Sequence, residues 1–111
     1  MLRLPQHELA EINIAKLRDY CLSSTHPRGR HKARIFRAAL GITEQDASWL
    51  HDKIKAALPA AEVTRQDEDE YGQRWQVDFL AKRQTKQTMV RTIWLIDRNG
   101  NPPRLITSWV L

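Results

Sequence analysis

The sequence predicts an α+β domain in which about three N-terminal helices pack on a four-stranded antiparallel sheet meander. The first observation is a change in apolar spacing, from about 3.6 residues before residue 59 to about 2 residues after residue 61. The second is the set of short turn sequences between the alternating segments, which favours sequential antiparallel pairing. With 111 residues, 41% hydrophobic and 28% charged, the chain is expected to form a single domain, residues 1–111.

The first helix is expected at about residues 13–22, because apolar residues recur there at helical spacing and Asn13 is placed to cap them. Residues 23–29 are a loop by composition. Pro27 disfavours helical geometry in the residue before it, and Gly29 is available for an unusual backbone angle. The loop therefore separates the first helix from the second.

Two further helices follow. The second is expected at about residues 30–40, with Gly41 suited to the left-handed conformation that ends many helices. The third is opened by a capping box at Thr43–Asp46 and continues to about Ala57. Each presents a stripe of apolar residues to the core.

The strands are indicated by alternation, as in Trp75, Val77 and Phe79, which are separated by polar residues. The segment Ile93–Ile96 is apolar on both faces, so it is expected at the centre of the sheet. The strands are predicted at about residues 61–66, 73–82, 88–97 and 104–111.

The charge of the chain is unevenly distributed. Lys and Arg number 18 against 13 Asp and Glu, a net charge of +5, and residues 25–37 alone hold five Lys or Arg, two His and no acid. Such a concentrated positive segment favours a polyanionic partner. The alternative is an ordinary solvated helix surface, although solvated surfaces normally mix both signs.

The start of the second helix is a predicted anion site, because free backbone N–H groups and the positive end of the helix dipole favour phosphate there. Arg91, Arg104 and Thr107, on the last two strands, are further candidates, with Arg91 or Thr107 facing the helix; both also suit plain strand positions. The predicted phosphate- or RNA-binding residues are Arg28, Gly29, Arg30, Arg34, Arg37 and Arg104.

Two histidines next to this site could transfer protons near neutral pH, as cleavage of RNA by its own 2′-hydroxyl requires. Lys32 or an arginine would stabilise the charge that builds on phosphorus. The alternative for each histidine is an exposed residue without a role. The predicted catalytic residues are His31, Lys32, His26, Arg91 and Thr107. The four tryptophans are expected in the core rather than as base-stacking platforms; Trp109, near the C-terminus, is the one that remains a stacking candidate.

Several chemistries have no motif in this sequence. The four histidines are scattered and Cys21 is single, so no metal site, no cofactor and no intramolecular disulfide are expected. The N-terminus has no apolar run suited to a signal peptide, and no stretch approaches the roughly 20 apolar residues of a membrane span. We therefore expect a cytoplasmic protein without a membrane partner.

The segment His26-Pro27-Arg28-Gly29-Arg30-His31-Lys32-Ala33-Arg34-Ile35-Phe36, together with Lys16–Leu22 before it and Pro103–Ser108 after it, resembles a family of small uncharacterised bacterial and prophage domains. These domains in turn resemble the barnase, EndoU, colicin and RelE-like superfamily of metal-independent ribonucleases. The resemblance implies helices on a four-stranded antiparallel sheet. It also implies a toxin-type ribonuclease whose site includes His31, Lys32, Arg91 and Thr107.

The function expected from the sequence is a metal-independent endoribonuclease of toxin type, acting on tRNA, rRNA or mRNA, with a cognate antitoxin or immunity protein as partner. One alternative is an accessory module of a prophage or toxin system that binds nucleic acid or protein without catalysis. The other is an immunity protein, against which the positive charge argues, since a partner of a basic toxin is often acidic.

Overall fold

The computed structural model describes residues 2–111 and has an α+β fold. Its helices are α1 (Ile14–Lys16), α2 (Arg30–Leu40) and α3 (Ala47–Ala57). Its strands are β1 (Val63–Asp69), β2 (Gly72–Arg83), β3 (Lys86–Asp97) and β4 (Arg104–Val110). A π-helical segment, Leu17–Cys21, continues α1, and short 3-10 turns lie at His7–Leu9 and Glu44–Asp46.

The four strands form one open sheet in the order β1-β2-β3-β4, and each neighbouring pair is antiparallel. The predicted fold class, with helices before an antiparallel meander, is therefore confirmed. Strand β3 is central, as predicted, and Val90, Thr92 and Trp94 on one of its faces are buried. The helices cover this face and contribute Phe36 and Leu50 to the same core.

The helix ends predicted from the sequence are present. Gly41 has a φ of 69° and its N–H donates to the carbonyl of Arg37 at 2.9 Å, which ends α2. In the capping box, the Asp46 carboxylate accepts from the Thr43 N–H at 2.9 Å, and the Thr43 hydroxyl accepts from the backbone N–H of Gln45 at 3.4 Å. These local signals fix both boundaries because their hydrogen bonds lie within a few residues.

The predicted helix at residues 13–22 differs in its geometry. Asn13 caps it as expected, accepting from the Ala15 N–H at 2.9 Å, but the backbone widens after Lys16 into a π-helical turn. The Leu22 N–H then reaches back five residues to the Leu17 carbonyl at 2.8 Å. Apolar spacing alone does not distinguish this wider turn from an α-helix.

Strand β1 was predicted at 61–66 and is observed at Val63–Asp69. It continues into the acidic run because antiparallel pairing with β2 uses backbone groups and tolerates any solvated side chain, and almost all of β1 is exposed at the edge of the sheet. The long β2–β3 pair likewise extends to a tight turn between Arg83 and Lys86.

The N-terminal segment is held against the last strand. Glu11 forms a parallel bridge with Arg104, in which the Leu105 N–H donates to the Glu11 carbonyl at 2.9 Å. Further along β4, the register with β3 shifts by one residue at Ile106, a β-bulge directly before Thr107. The π-helical segment packs against the part of β4 that follows the bulge, where Cys21 contacts Thr107.

Candidate functional site

An open cleft lies between the π-helical segment, the loop before α2 and strand β4. We call it the basic cleft; its lining residues are Lys16, Tyr20, His26, Arg28, Ile106 and Thr107. This lining contains two cations and an imidazole and no carboxylate. The cleft is therefore suited to an anion.

The side chain of Lys32 is held at the edge of this cleft by neutral groups. Its Nζ donates to the Thr107 hydroxyl at 3.3 Å and to the Tyr20 hydroxyl at 3.4 Å. It also lies 5.2 Å from the centre of the Tyr20 ring and 5.1 Å from that of Trp109. Within residues 2–111 the ammonium forms no ion pair, so its charge is fixed in position and uncompensated.

The His26 imidazole is held in place by backbone hydrogen bonds at the start of α2. Its Nδ1 accepts from the N–H groups of Arg28 at 3.0 Å and Gly29 at 3.1 Å, and its carbonyl accepts from the N–H of Arg30 at 3.0 Å. The neutral imidazole therefore carries its proton on Nε2. The ring packs edge-on against Tyr20, with 4.9 Å between centres. Nε2 is therefore the ring nitrogen that these backbone hydrogen bonds leave available to a ligand in the cleft.

These hydrogen bonds change the interpretation of the helix start. The sequence predicted free N–H groups there for phosphate, but His26 already occupies those of Arg28, Gly29 and Arg30. Binding in the cleft therefore depends on side chains rather than on these N–H groups.

Gly29 is required for close packing and not for an unusual backbone angle. Its φ of −86° is ordinary, which corrects the expectation from the sequence. A Cβ at this position would overlap with the backbone carbonyl of Tyr20. Gly29 therefore allows the π-helical segment and the start of α2 to approach each other, which brings Tyr20 and His26 together.

Cys21 lies buried beneath the cleft. Its Sγ is 4.0 Å from the Thr107 hydroxyl, and burial raises the pKa of the thiol despite the hydrogen bonds with Ser108 and Thr107 and the nearby positive charge of Lys32, which lower it. A buried thiol with a raised pKa is a poor nucleophile. Cys21 therefore supports the cleft through packing.

The other predicted arginines of α2 lie on its opposite flank. Arg30, Arg34 and Arg37 line a separate groove, whose far wall includes Ser24 and Glu44. We call this the arginine groove. Positions 30, 34 and 37 share one side of a helix, whereas position 32 lies on the other side. The sequence predicted a single anion surrounded by both sets, and the structure separates them.

Three more predicted residues lie outside both surfaces. His31 is exposed on the side of α2 away from the core, and within residues 2–111 its ring has no hydrogen bond. Arg91 lies on the sheet face away from the helices, paired in bidentate fashion with Asp78 at 2.9 Å for each bond; these bonds raise its pKa. Arg104 is exposed at the beginning of β4.

The cleft thus brings together His26, Lys32, Thr107 and Arg28 from the predicted set. Sequence reasoning assigned no role to Lys16 or Tyr20, although their spacing of four residues places them on one side of a short helix. Of the tryptophans, Trp75 and Trp94 are buried; Trp109 is half-buried and contacts Lys32.

Residues 2–111 contain neither a cluster suited to a metal ion nor a helix suited to a membrane. No three His, Cys, Asp or Glu side chains in this range lie close enough together to hold a metal ion. None of the helices in the same range has the length and apolar character that crossing a bilayer requires.

Comparisons with known proteins identify a family. The chain matches no curated protein and no solved structure. The family model described as Domain of unknown function (DUF6883) matches residues 3–111, almost the whole sequence. The chain therefore belongs to the DUF6883 family.

Proposed function

We propose that the protein is a metal-independent endoribonuclease and that the basic cleft is its active site. The observation that carries this proposal is the combination of His26 with the uncompensated ammonium of Lys32 in an open cleft that no carboxylate lines. RNA supplies both an anionic phosphodiester and an internal nucleophile, its 2′-hydroxyl, so positioned charge and proton transfer suffice for cleavage.

The cations provide the phosphate site. Lys16 and Arg28 line the cleft and attract the phosphodiester of the strand. Lys32 stabilises the additional negative charge that develops on the phosphoryl oxygens as the 2′-oxygen attacks. Because the hydroxyls of Thr107 and Tyr20 already hold its ammonium, little reorganisation is needed during the reaction.

Proton transfer is assigned to His26 and Tyr20. The 2′-oxygen forms a bond to phosphorus while its proton passes to Nε2. For this step the imidazole must carry its own proton on Nδ1, so the two hydrogen bonds that Arg28 and Gly29 donate to Nδ1 have to be given up when the strand binds. The bond from phosphorus to the 5′-oxygen breaks, and the leaving oxygen takes a proton from the Tyr20 hydroxyl. The products are a 2′,3′-cyclic phosphate and a free 5′-hydroxyl, and the imidazolium passes a proton back to the Tyr20 oxygen through solvent.

This assignment moves the acid–base role from His31 to His26. The sequence favoured His31, with His26 as its counterpart, because both lie in the basic segment. The geometry favours His26, which lines the cleft and packs against Tyr20, over His31 on the solvent side of α2. The variants His26→Asn and His31→Asn distinguish the two assignments directly.

An endoribonuclease of this type would act as a toxin on tRNA, rRNA or mRNA in the cytoplasm. A cell that makes it would need a cognate antitoxin or immunity protein, and an acidic partner that covers the basic cleft fits the charge of the site. The proposal that the protein is part of a prophage or toxin system is supported by the resemblance of its basic segment to prophage domains.

The test is inducible expression followed by RNA analysis. Wild type is expected to arrest growth and to leave RNA fragments with 2′,3′-cyclic phosphate ends, whereas His26→Asn and Lys32→Met do neither. His51→Asn, on α3, is the matched histidine control and is expected to behave as wild type. Intact RNA in cells that hold folded wild-type protein would reject the nuclease.

The second candidate function is binding of nucleic acid without catalysis. It is favoured by the arginine groove, which is cationic but lined by no imidazole. In this case RNA would bind with strong salt dependence, remain uncut, and still bind after His26→Asn.

A further inference from the structure

The arginine groove is a second cationic surface that the proposed chemistry does not use. Within residues 2–111, none of the guanidinium groups of Arg30, Arg34 and Arg37 forms an ion pair. The carboxylate of Glu44 lines the same groove, and its Oε1 accepts from the Ser24 hydroxyl at 3.1 Å. Three cations against one carboxylate leave the groove positive.

Helix α2 lies between the two surfaces, because its Lys32 contacts Tyr20 and Thr107 of the cleft while the arginines of its opposite flank line the groove. An α-helix with its side chains is about 10–12 Å across, so one extended chain of phosphates can cross α2 and contact both flanks. The exposed side of α2 between them carries Ile35, whose side chain is 48% exposed and lies outside the core. An apolar side chain there offers a contact for an unstacked base.

We propose that the arginine groove binds the backbone of the same RNA strand some nucleotides away from the phosphodiester in the basic cleft. This rests on the proposed function, and it defines the substrate class as single-stranded RNA long enough to cross α2. A single strand is favoured over duplex RNA because the deep, narrow major groove of A-form RNA does not admit a helix.

A substitution of Glu44 is expected to raise the affinity for RNA, whereas substitutions of the arginines lower it. Its carboxylate faces the groove that would hold phosphate, so Glu44→Gln removes repulsion while the side-chain carbonyl still accepts from Ser24. Affinity for the strand is expected to rise about two- to fivefold, whereas Arg34→Gln/Arg37→Gln is expected to lower it at least about tenfold.

The experiment measures binding and cleavage of two RNAs by the full chain. One is a dinucleotide with a single phosphodiester, and the other is an unstructured strand of about 12 nucleotides. Arg34→Gln/Arg37→Gln is expected to weaken binding of the long strand and to leave binding of the dinucleotide unchanged. It should also reduce the slope of log affinity against log salt by about 0.7 for each phosphate that is no longer neutralised. Lys53→Gln/Arg65→Gln removes the same charge elsewhere and should change the long-strand affinity less than about twofold.

The possible failures are distinguishable. Equal losses on both RNAs, or none on the long strand, would overturn the second surface while leaving cleavage at the basic cleft intact. Preferential binding of duplex DNA, whose major groove does admit a helix, would overturn the single-stranded substrate. If no RNA is cut but the long strand still depends on Arg34 and Arg37, the groove stands and the nuclease fails.

Discussion

The two flanks of α2 carry similar charge in different settings. On one flank, Lys32 is fixed between two hydroxyls and two aromatic rings, next to a histidine whose Nδ1 is already occupied. On the other, Arg30, Arg34 and Arg37 extend from the helix without ion-pair partners in the described chain. Fixed groups are suited to chemistry, whereas long, solvent-exposed cations are suited to attraction.

The largest expected effect is on the rate at the fixed flank. His26→Asn removes the imidazole, but the amide oxygen of asparagine can still accept from the N–H groups of Arg28 and Gly29. The rate of cleavage is expected to fall by about 10²- to 10⁴-fold with little change in affinity, measured as single-turnover cleavage of an end-labelled strand.

His31→Asn is the matched change on the exposed side of the same helix. It is expected to lower the rate by less than about tenfold, because its ring lines neither surface. If His31→Asn were the more damaging variant, the acid–base role would belong to His31 and the contrast between the flanks would be lost.

The second effect concerns the ammonium of Lys32. Lys32→Met keeps most of the length of the side chain and its packing against Tyr20 and Trp109 but removes the charge. Cleavage is expected to fall by about 10²- to 10³-fold, and Lys32→Arg should recover only part of it because a planar guanidinium fits these partners differently. Arg34→Gln, which removes one charge from the groove, should instead act on affinity.

Changes in the apparent dissociation constant and in the single-turnover rate separate these outcomes. Should Arg34→Gln lower the rate as strongly as Lys32→Met at saturating RNA, the groove would be part of the active site, and the distinction between fixed and solvent-exposed cations would fail.

The third effect is on the stability of the protein, through the packing beneath the fixed flank, the flank of α2 that carries Lys32. Gly29→Ala places a Cβ against the Tyr20 carbonyl, so the π-helical segment must move away from α2. The free energy of unfolding is expected to decrease by about 1–3 kcal/mol, measured by denaturant titration. Gly100→Ala is a contrasting change, because there a Cβ meets nothing and the cost comes only from its φ of 80°. A loss at Gly29 no larger than that at Gly100 would mean that the close approach does not hold the flank in place.

Much of the fold was predictable because its signals are local. Gly41 and the Thr43–Asp46 capping box set helix ends through hydrogen bonds within a few residues, and alternation marked the strands. The site was predictable only in part. Placing His26 with Tyr20 depends on the width of a π-helical turn and on the close approach at Gly29, neither of which has a periodic pattern.

The arrangement around β4 shows the same limit. Thr107 was a candidate together with Arg91, since alternation alone does not say which strand residue faces the helices. Their side-chain partners distinguish the two residues: the Thr107 hydroxyl accepts from Lys32 of α2, whereas the guanidinium of Arg91 is paired with Asp78. Both contacts join distant parts of the chain.

The smallest expected effect concerns Cys21 beneath the cleft. Burial raises the pKa of its thiol in the folded state, so the neutral thiol is favoured there and ionisation opposes folding. The resulting stability is present below the usual thiol pKa, about 8.5, and is lost as the pH rises through the higher folded value. The free energy of unfolding of wild type should therefore fall more steeply than that of Cys21→Ala as the pH rises above the usual thiol pKa. Equal slopes would mean that the thiolate is accommodated in the fold, and the fixed flank would then contain a nucleophile as well as a charge.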